Sequence, residues 1–155
     1  MPDFTVRYAK KSELERVNEI RYQVNRVHSN GRPDIFRDDF CNEMKNVVYK
    51  IFENEYSDVI VAVNGDTICG FATVEYIVKE KSPYNLQRKF YRIAEFGVDE
   101  NFRRMGVATK LIKEAKNRGF DRLELDVWEF NEGAMRWFYD SVGFKTYREY
   151  KEMNI

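Results

Sequence analysis

Arg103-Arg104-Met105-Gly106-Val107-Ala108 is a stretch whose residue types and spacing suit anion binding. The first four N–H groups of a helix have no intrahelical partners, and their aligned dipoles favour negative charge at that end. Gly106 has no Cβ to hold a ligand off the backbone, and the guanidinium groups of Arg103 and Arg104 match phosphate oxygens. Upstream, Glu95 is a carboxylate inside an apolar segment with Ile93 and Ala94. Strand alternation sets it on the face opposite Phe96 and Val98. There it can accept a proton, bind a cationic substrate or sit in an ion pair.

Other chemistries are poorly supplied. His28 is the only histidine, so neither a His-based metal site nor two-histidine acid/base work can be built, and no metal is expected. A serine–histidine or cysteine–histidine pair would have to use His28, and no motif around Ser29, Cys41 or Cys69 supports one. The two cysteines lie in apolar stretches without a CxxC and read as reduced core thiols. A P-loop is disfavoured because Gly106-Val107-Ala108-Thr109-Lys110 lacks the GK[ST] ending.

The elements that must hold these residues follow from periodicity. Phe4 to Ala9 alternates as a half-buried strand. Ser12 and Glu15 have capping-box spacing, and Leu14, Val17, Ile20, Val24 and Val27 stripe a helix ending near Asn30-Gly31. After a loop around Pro33, Phe40, Met44, Val47, Val48 and Ile51 mark a second helix. Val59 to Val63 and Thr67 to Val78 flank Asn64-Gly65, a hairpin signal. A polar loop from Lys79 to Gln87 precedes a strand over Phe90 to Val98. After Gly106 the residues Ala108, Leu111, Ile112 and Ala115 line one helix face, with Arg118-Gly119 as its stop. Leu123, Leu125 and Val127 form a further strand, Gly133 to Val142 a short helix, and Phe144 to Lys151 a final strand. The order βααβββαβαβ implies a mixed sheet with helices on its faces.

A chain of 155 residues predicts one domain over residues 1–155. Its 43% hydrophobic and 15% aromatic residues are enough to fill a core and argue against disorder. Lys+Arg and Asp+Glu are both 26, without the basic excess of a nucleic-acid binder. No run approaches the ~18 apolar residues of a membrane span, and Met1-Pro2-Asp3-Phe4 lacks a signal-peptide layout. A soluble, cytoplasmic protein with no nucleic-acid or membrane partner is expected.

Arg103-x-x-Gly106-x-Ala108, placed after Phe96-Gly97-Val98 and before a helix, resembles the acyl-CoA pyrophosphate motif of the GCN5-related N-acetyltransferase (GNAT) family. Leu123 to Asn131, Ala134, Trp137-Phe138-Tyr139 and Gly143-Phe144 resemble the same family's strand, Asn, helix, Tyr and "GF" ending. The motif regions cover about a third of the chain, and the element order nearly all of it. Glu100 stands where a proline is common, Arg104 where a glycine is, and Asn131 lies one residue farther from Tyr139 than in many relatives.

The resemblance implies the α/β (α+β) acyl-CoA N-acyltransferase fold, a mixed, mostly antiparallel central sheet flanked by about four helices. It also implies transfer of an acetyl group from acetyl-CoA to a primary amine by direct attack in a ternary complex. Arg103, Arg104, Met105, Gly106, Val107 and Ala108 would hold the pyrophosphate. The backbone at Phe96 and Val98 would pair with the pantetheine arm, and Asn131 would belong to the same site. Tyr139 would be the general acid and Glu95 the base, with Asp126 a second candidate. His28 and Asp34 lie where the family's first helices form the acceptor pocket. The acceptor reads as a small cationic amine, with Glu75, Glu95, Asp126 and Glu129 as acidic residues on adjacent strands. A protein amine and a non-catalytic acyl-CoA sensor stay open as alternatives. Tyr147 to Tyr150 reads as final-strand packing, and can also wall the acceptor site or support a homodimer.

Overall fold

Alternating and apolar runs set the strands, and the computed structural model describes residues 2–115, 119–131 and 134–155. The strands are β1 (Thr5–Tyr8), β2 (Ser57–Asn64), β3 (Thr67–Lys79), β4 (Arg88–Val98) and β5 (Leu123–Leu125). The helices are α1 (Leu14–Gly31), α2 (Asn42–Glu53), α3 (Val107–Glu114) and α4 (Ala134–Val142). The sheet order is β1-β2-β3-β4-β5, antiparallel throughout except for β5, which runs parallel to β4. Gly65, at φ 61°, makes the tight turn between β2 and β3.

Both faces of the sheet are covered. The apolar stripe of α1, Leu14, Val17 and Ile20, packs with Val48 of α2 against Val59, Val61, Val63, Ile68 and Phe71. On the other face Val107, Leu111 and Ile112 of α3 meet Ile60, Ala62, Ala72, Val74, Tyr91 and Ile93. Each fully buried Leu, Ile or Val of this kind contributes about 1.5–3 kcal/mol.

The feature that shapes the site is a bulge in β4. Ile93 pairs with Val74 and Glu95 with Thr73, leaving Ala94 as the extra residue. Tyr91 and Ile93 belong to the α3 side of the core, whereas after the bulge Phe96 and Val98 pack there instead. Gly97 turns to α1, where a Cβ would stand 2.6 Å from Val24 Cγ2 and 3.0 Å from the Phe71 ring. The pairing with β5 covers only Tyr91, Arg92 and Ile93. From Ala94 onward β4 keeps β3 on one edge and has no strand partner on the other among the described residues.

The structure differs from the sequence expectation in four places. Residues 144–151, expected as a final strand, carry no regular secondary structure. Half of the run is charged, and Tyr147 and Tyr150 stay 54% and 82% exposed, so it buries little apolar surface against the three-residue β5. Its anchors are polar: the Tyr147 hydroxyl donates to Glu124, and Arg32 pairs with Glu152. The capping interaction lies two residues earlier than Ser12 and Glu15, because the Glu13 carboxylate accepts from the Lys10 N–H at 2.8 Å ahead of a 3-10 turn over Lys11–Glu13. Regular α3 ends at Glu114, short of Arg118-Gly119; Arg118 lies outside the described residues. β5 stops at Leu125 and omits Val127. Gly133, expected to open α4, also lies outside the described residues.

Candidate active site

The turn between β4 and α3 is a preformed backbone bend. Gly106 is the N-cap of α3 at φ 86°, and nothing lies within 4 Å of the position a Cβ would take. Arg104 is also left-handed, at φ 64°. A non-glycine residue there stores about 1–3 kcal/mol of strain. Arg103 and Arg104 are exposed, and the Arg103 Nε donates to the Val98 carbonyl at 3.4 Å. Val107, 1% exposed, nails the helix start to the sheet. Space for this is left by Gly70, where a Cβ would stand 2.9 Å from Val107 Cγ1 and 3.1 Å from Leu111 Cδ1. Met105 is partly exposed and Ala108 half-buried, so the open backbone is flanked by small or flexible side chains.

Asp99, which the sequence reading missed, braces this turn. Its buried carboxylate accepts from the Asn101 N–H at 2.9 Å, from Gln23 Nε2 at 2.9 Å and from an Arg16 amino group at 3.1 Å. Gln23 in turn accepts from the Glu100 N–H at 3.0 Å. Burial opposes the charge on Asp99, but these donors outweigh it and hold the carboxyl below its usual range. A depressed carboxyl contributes stability that is present above its unfolded value, near 3.8, and lost as pH falls through the folded one. Asp99→Asn should therefore cost about 1.5–3 kcal/mol near neutrality. In thermal melts the gap between variant and parent should close as the pH drops below about 4. A gap that stays constant into acid would remove the charge from this account.

Glu95 is gripped from α1. Arg21 Nε and one of its amino groups donate to the two carboxylate oxygens at 2.8 and 2.9 Å, and the Arg21 side chain is only 6% exposed. The other amino group donates to Asn18 Oδ1 at 2.8 Å and to the Met44 carbonyl at 2.7 Å. The Glu95 N–H donates to Thr73 Oγ1 at 2.9 Å. Arg21 was not visible as a partner from sequence, being 74 residues away. Two of the carboxylate's roughly four lone-pair sites stay available.

His28, near the end of α1, places Nδ1 3.0 Å from the Val24 carbonyl, which favours the tautomer with its proton there. Burial lowers its pKa, against the opposing pull of the Val24 carbonyl and of Glu95. Its ring touches Phe36 at 4.9 Å and Phe130 at 5.7 Å. Asp34 is not free: Arg32 donates to its two oxygens at 2.9 and 2.8 Å. Asp126 is exposed just past β5 and has no partner among the described residues. Glu75 is paired with Arg92 at 2.8 Å.

Tyr139, on α4, is half-buried with its ring against Phe138 and Phe144. It packs at the border of the same apolar cluster as Phe96 and Val98, and burial pushes its phenol up to about 12. Asn131 ends a one-turn helix over Glu129–Asn131 and donates its N–H to the Trp128 carbonyl at 3.0 Å. Among the described residues no group of three or more His, Cys, Asp or Glu is placed to hold a metal ion. No helix there is long and apolar enough to cross a membrane.

Residues 14–144 match the model of the acetyltransferase (GNAT) family. No curated protein matches the chain. Of solved structures, it is similar to the tetramutant of the BH1408 protein from Bacillus halodurans, with 27% identity and a TM-score of 0.89 over 97% of this chain and 99% of that one. The aminoglycoside N-acetyltransferase AAC(6')-Iy, in complex with CoA, shares 16% identity at a TM-score of 0.76, with 100% of this chain and 96% of that one covered. A putative acetyl transferase from Pyrococcus furiosus shares 16% at 0.70, covering 99% and 100%. The last two report a common fold. With the family model spanning most of its length, the chain belongs to the acetyltransferase (GNAT) family and is an acetyl-CoA-dependent acetyltransferase.

Proposed function

We propose that this protein transfers an acetyl group from acetyl-CoA directly to a small primary amine held in the same complex. The observation that carries this is the conjunction of the left-handed Gly106 turn at the start of α3 with the edge of β4 that, from Ala94 onward, has no strand partner among the described residues. Acetyl-CoA, when bound, supplies the activated thioester. Arg103, Arg104 and the N–H groups of Met105 to Ala108 bind the pyrophosphate, and that edge at Phe96 and Val98 receives the pantetheine arm as an added strand would be received. Asn131 lies along the same arm.

The chain's own groups then manage protons. An ammonium cannot attack a thioester, so the acceptor must lose a proton first. Glu95 takes it, directly or through water, at the lone-pair sites that Arg21 leaves open. A backbone N–H near Val98 faces the oxygen on which charge develops. Tyr139 donates to the departing sulfur, and its raised pKa keeps it protonated for that role. His28, Asp34 and Asp126 face the amine. The reaction takes place in the cytoplasm, and the protein can work as a homodimer.

Isothermal titration tests the donor half of this reading. Gly106→Asp forces a side chain into a φ of 86° and sets a carboxylate where phosphate should sit. Acetyl-CoA affinity should fall by about 10²-fold, the effect of ~2.7 kcal/mol. Unchanged affinity would take the cradle out of the mechanism.

A further inference from the structure

Four aromatic rings from three segments meet at the end of α1, and one of them, His28, lies within the field of Glu95. His28 comes from α1, Phe36 from the α1–α2 loop, and Trp128 and Phe130 from the connection between β5 and α4. Phe36 stands edge-on to Trp128 at 4.9 Å, and Trp128 stacks with Phe130 at 6.0 Å and 20°. Phe130 lies flat on the backbone of Gly31, where any Cβ would come within 2.5 Å of its ring. A cavity of about 320 Å³ opens here, lined by Arg32, Trp128, Glu129 and Phe130, and Trp128 is 37% exposed.

The charge at this cavity is lopsided. The single guanidinium of Arg32 is shared between Asp34 and Glu152, while Glu129 has no partner among the described residues. Of the two charged residues that line the cavity, Arg32 is thus already engaged and Glu129 is left without a counter-charge among the described residues. Of the other acidic side chains near the site, Glu95 is paired with Arg21 and Glu124 with Arg88 and Arg122, which leaves Asp126 as the second one without a partner among the described residues. A polycation with several spaced amines would find few free carboxylates to match it. A single amine on a flat apolar body finds both an aromatic wall and a negative field.

We infer that the acceptor is an aryl-alkyl monoamine whose ring stacks on Trp128 and Phe130 while its nitrogen reaches toward Glu95. This rests on the acetyl-transfer reading above. The amine nitrogen bonds to the acetyl carbon as the C–S bond breaks; the ammonium nitrogen sheds two of its three protons, and the sulfur gains one. The products are the N-acetylated aryl-alkyl amine, the free thiol of CoA and one proton released from the original ammonium.

The test compares 2-phenylethylamine, n-butylamine and an aminoglycoside as acceptors for the full chain, scored by thiol release, with 2-phenylethylamine binding followed separately by tryptophan fluorescence. 2-Phenylethylamine should have a kcat/KM about tenfold or more above the other two, the scale of one good ring-stacking contact. Trp128→Ala should collapse that preference to about twofold, and Trp128→Phe should restore most of it. Gly31→Ala, which must displace Phe130, should act in the same direction if the alanine variant folds poorly. Equal turnover of the aryl and butyl amines, or a preference that survives Trp128→Ala, overturns the aromatic pocket and leaves acetyl transfer standing. Saturable fluorescence quenching by 2-phenylethylamine with no thiol release from any amine does the reverse, keeping the pocket and removing the transfer reading. Absence of both quenching and aryl turnover overturns the pocket outright.

Discussion

Tyr139→Phe should lower kcat by about 10²-fold or more while leaving acetyl-CoA affinity within about twofold. The substitution removes one hydroxyl and keeps the ring that packs against Phe138 and Phe144, so the fold has little reason to change. What is lost is the donor to the leaving sulfur. The raised phenol adds a second expectation: at about 12 it keeps its proton across any practical assay range, so Tyr139 imposes no descending alkaline limb on the parent's kcat profile below about pH 10. Thiol-release kinetics over that range measure both. A phenylalanine variant with parental kcat at every pH would move the acid role elsewhere.

Arg21→Met is expected to cost about 3–5 kcal/mol, because it strands the Glu95 carboxylate against the buried face of α1. The methionine fills a similar volume, so the loss is one of charge and hydrogen bonds rather than of packing. The substitution also leaves unmet the acceptors Asn18 Oδ1 and the Met44 carbonyl, which loosens α2 from α1. For a chain of this size the melting temperature should fall by roughly 10 °C. The double substitution Arg21→Met with Glu95→Gln should recover a good part of that, as removing both partners of a buried pair does. Denaturant midpoints of the four proteins in the cycle measure the coupling. A double variant no more stable than Arg21→Met would mean that the pair is not what holds α1 to β4.

The parts of this molecule that were legible in the sequence are those written locally. The stripe Leu14, Val17, Ile20 announced α1 because i, i+3 spacing is a property of neighbouring residues. Asn64-Gly65 announced its hairpin for the same reason, and Gly106 the turn into α3. What stayed hidden was made by distance. Arg21 meets Glu95 across 74 residues, and Arg16 meets Asp99 across 83. No spacing rule joins such pairs, and each carboxylate taken alone reads equally as base, binder or ion-pair member. The aromatic wall was hidden likewise, since Phe36 and Trp128 touch only once α1 and β5 are side by side. The final strand failed for the opposite reason: Tyr147 and Tyr150 gave it a strand-like local composition, but ladder formation needs an edge, and β5 offers three residues.

The extra residue in β4 has a consequence for how this chain can vary. Ala94 reverses the phase of everything after it, so that Tyr91 and Ile93 face α3 while Glu95 and Gly97 face α1. A deletion at Ala94 would nevertheless leave both faces as they are, because Ile93 and Glu95 already pair with the adjacent residues Val74 and Thr73. What it would remove is the local bend and extra twist that a bulge gives its strand. The pairing with β5 ends at Ile93, so the bend sits where β4 parts from β5. An alanine with no side chain to offer thus sets the direction in which the rest of β4 runs, while the residues around it decide what each face presents.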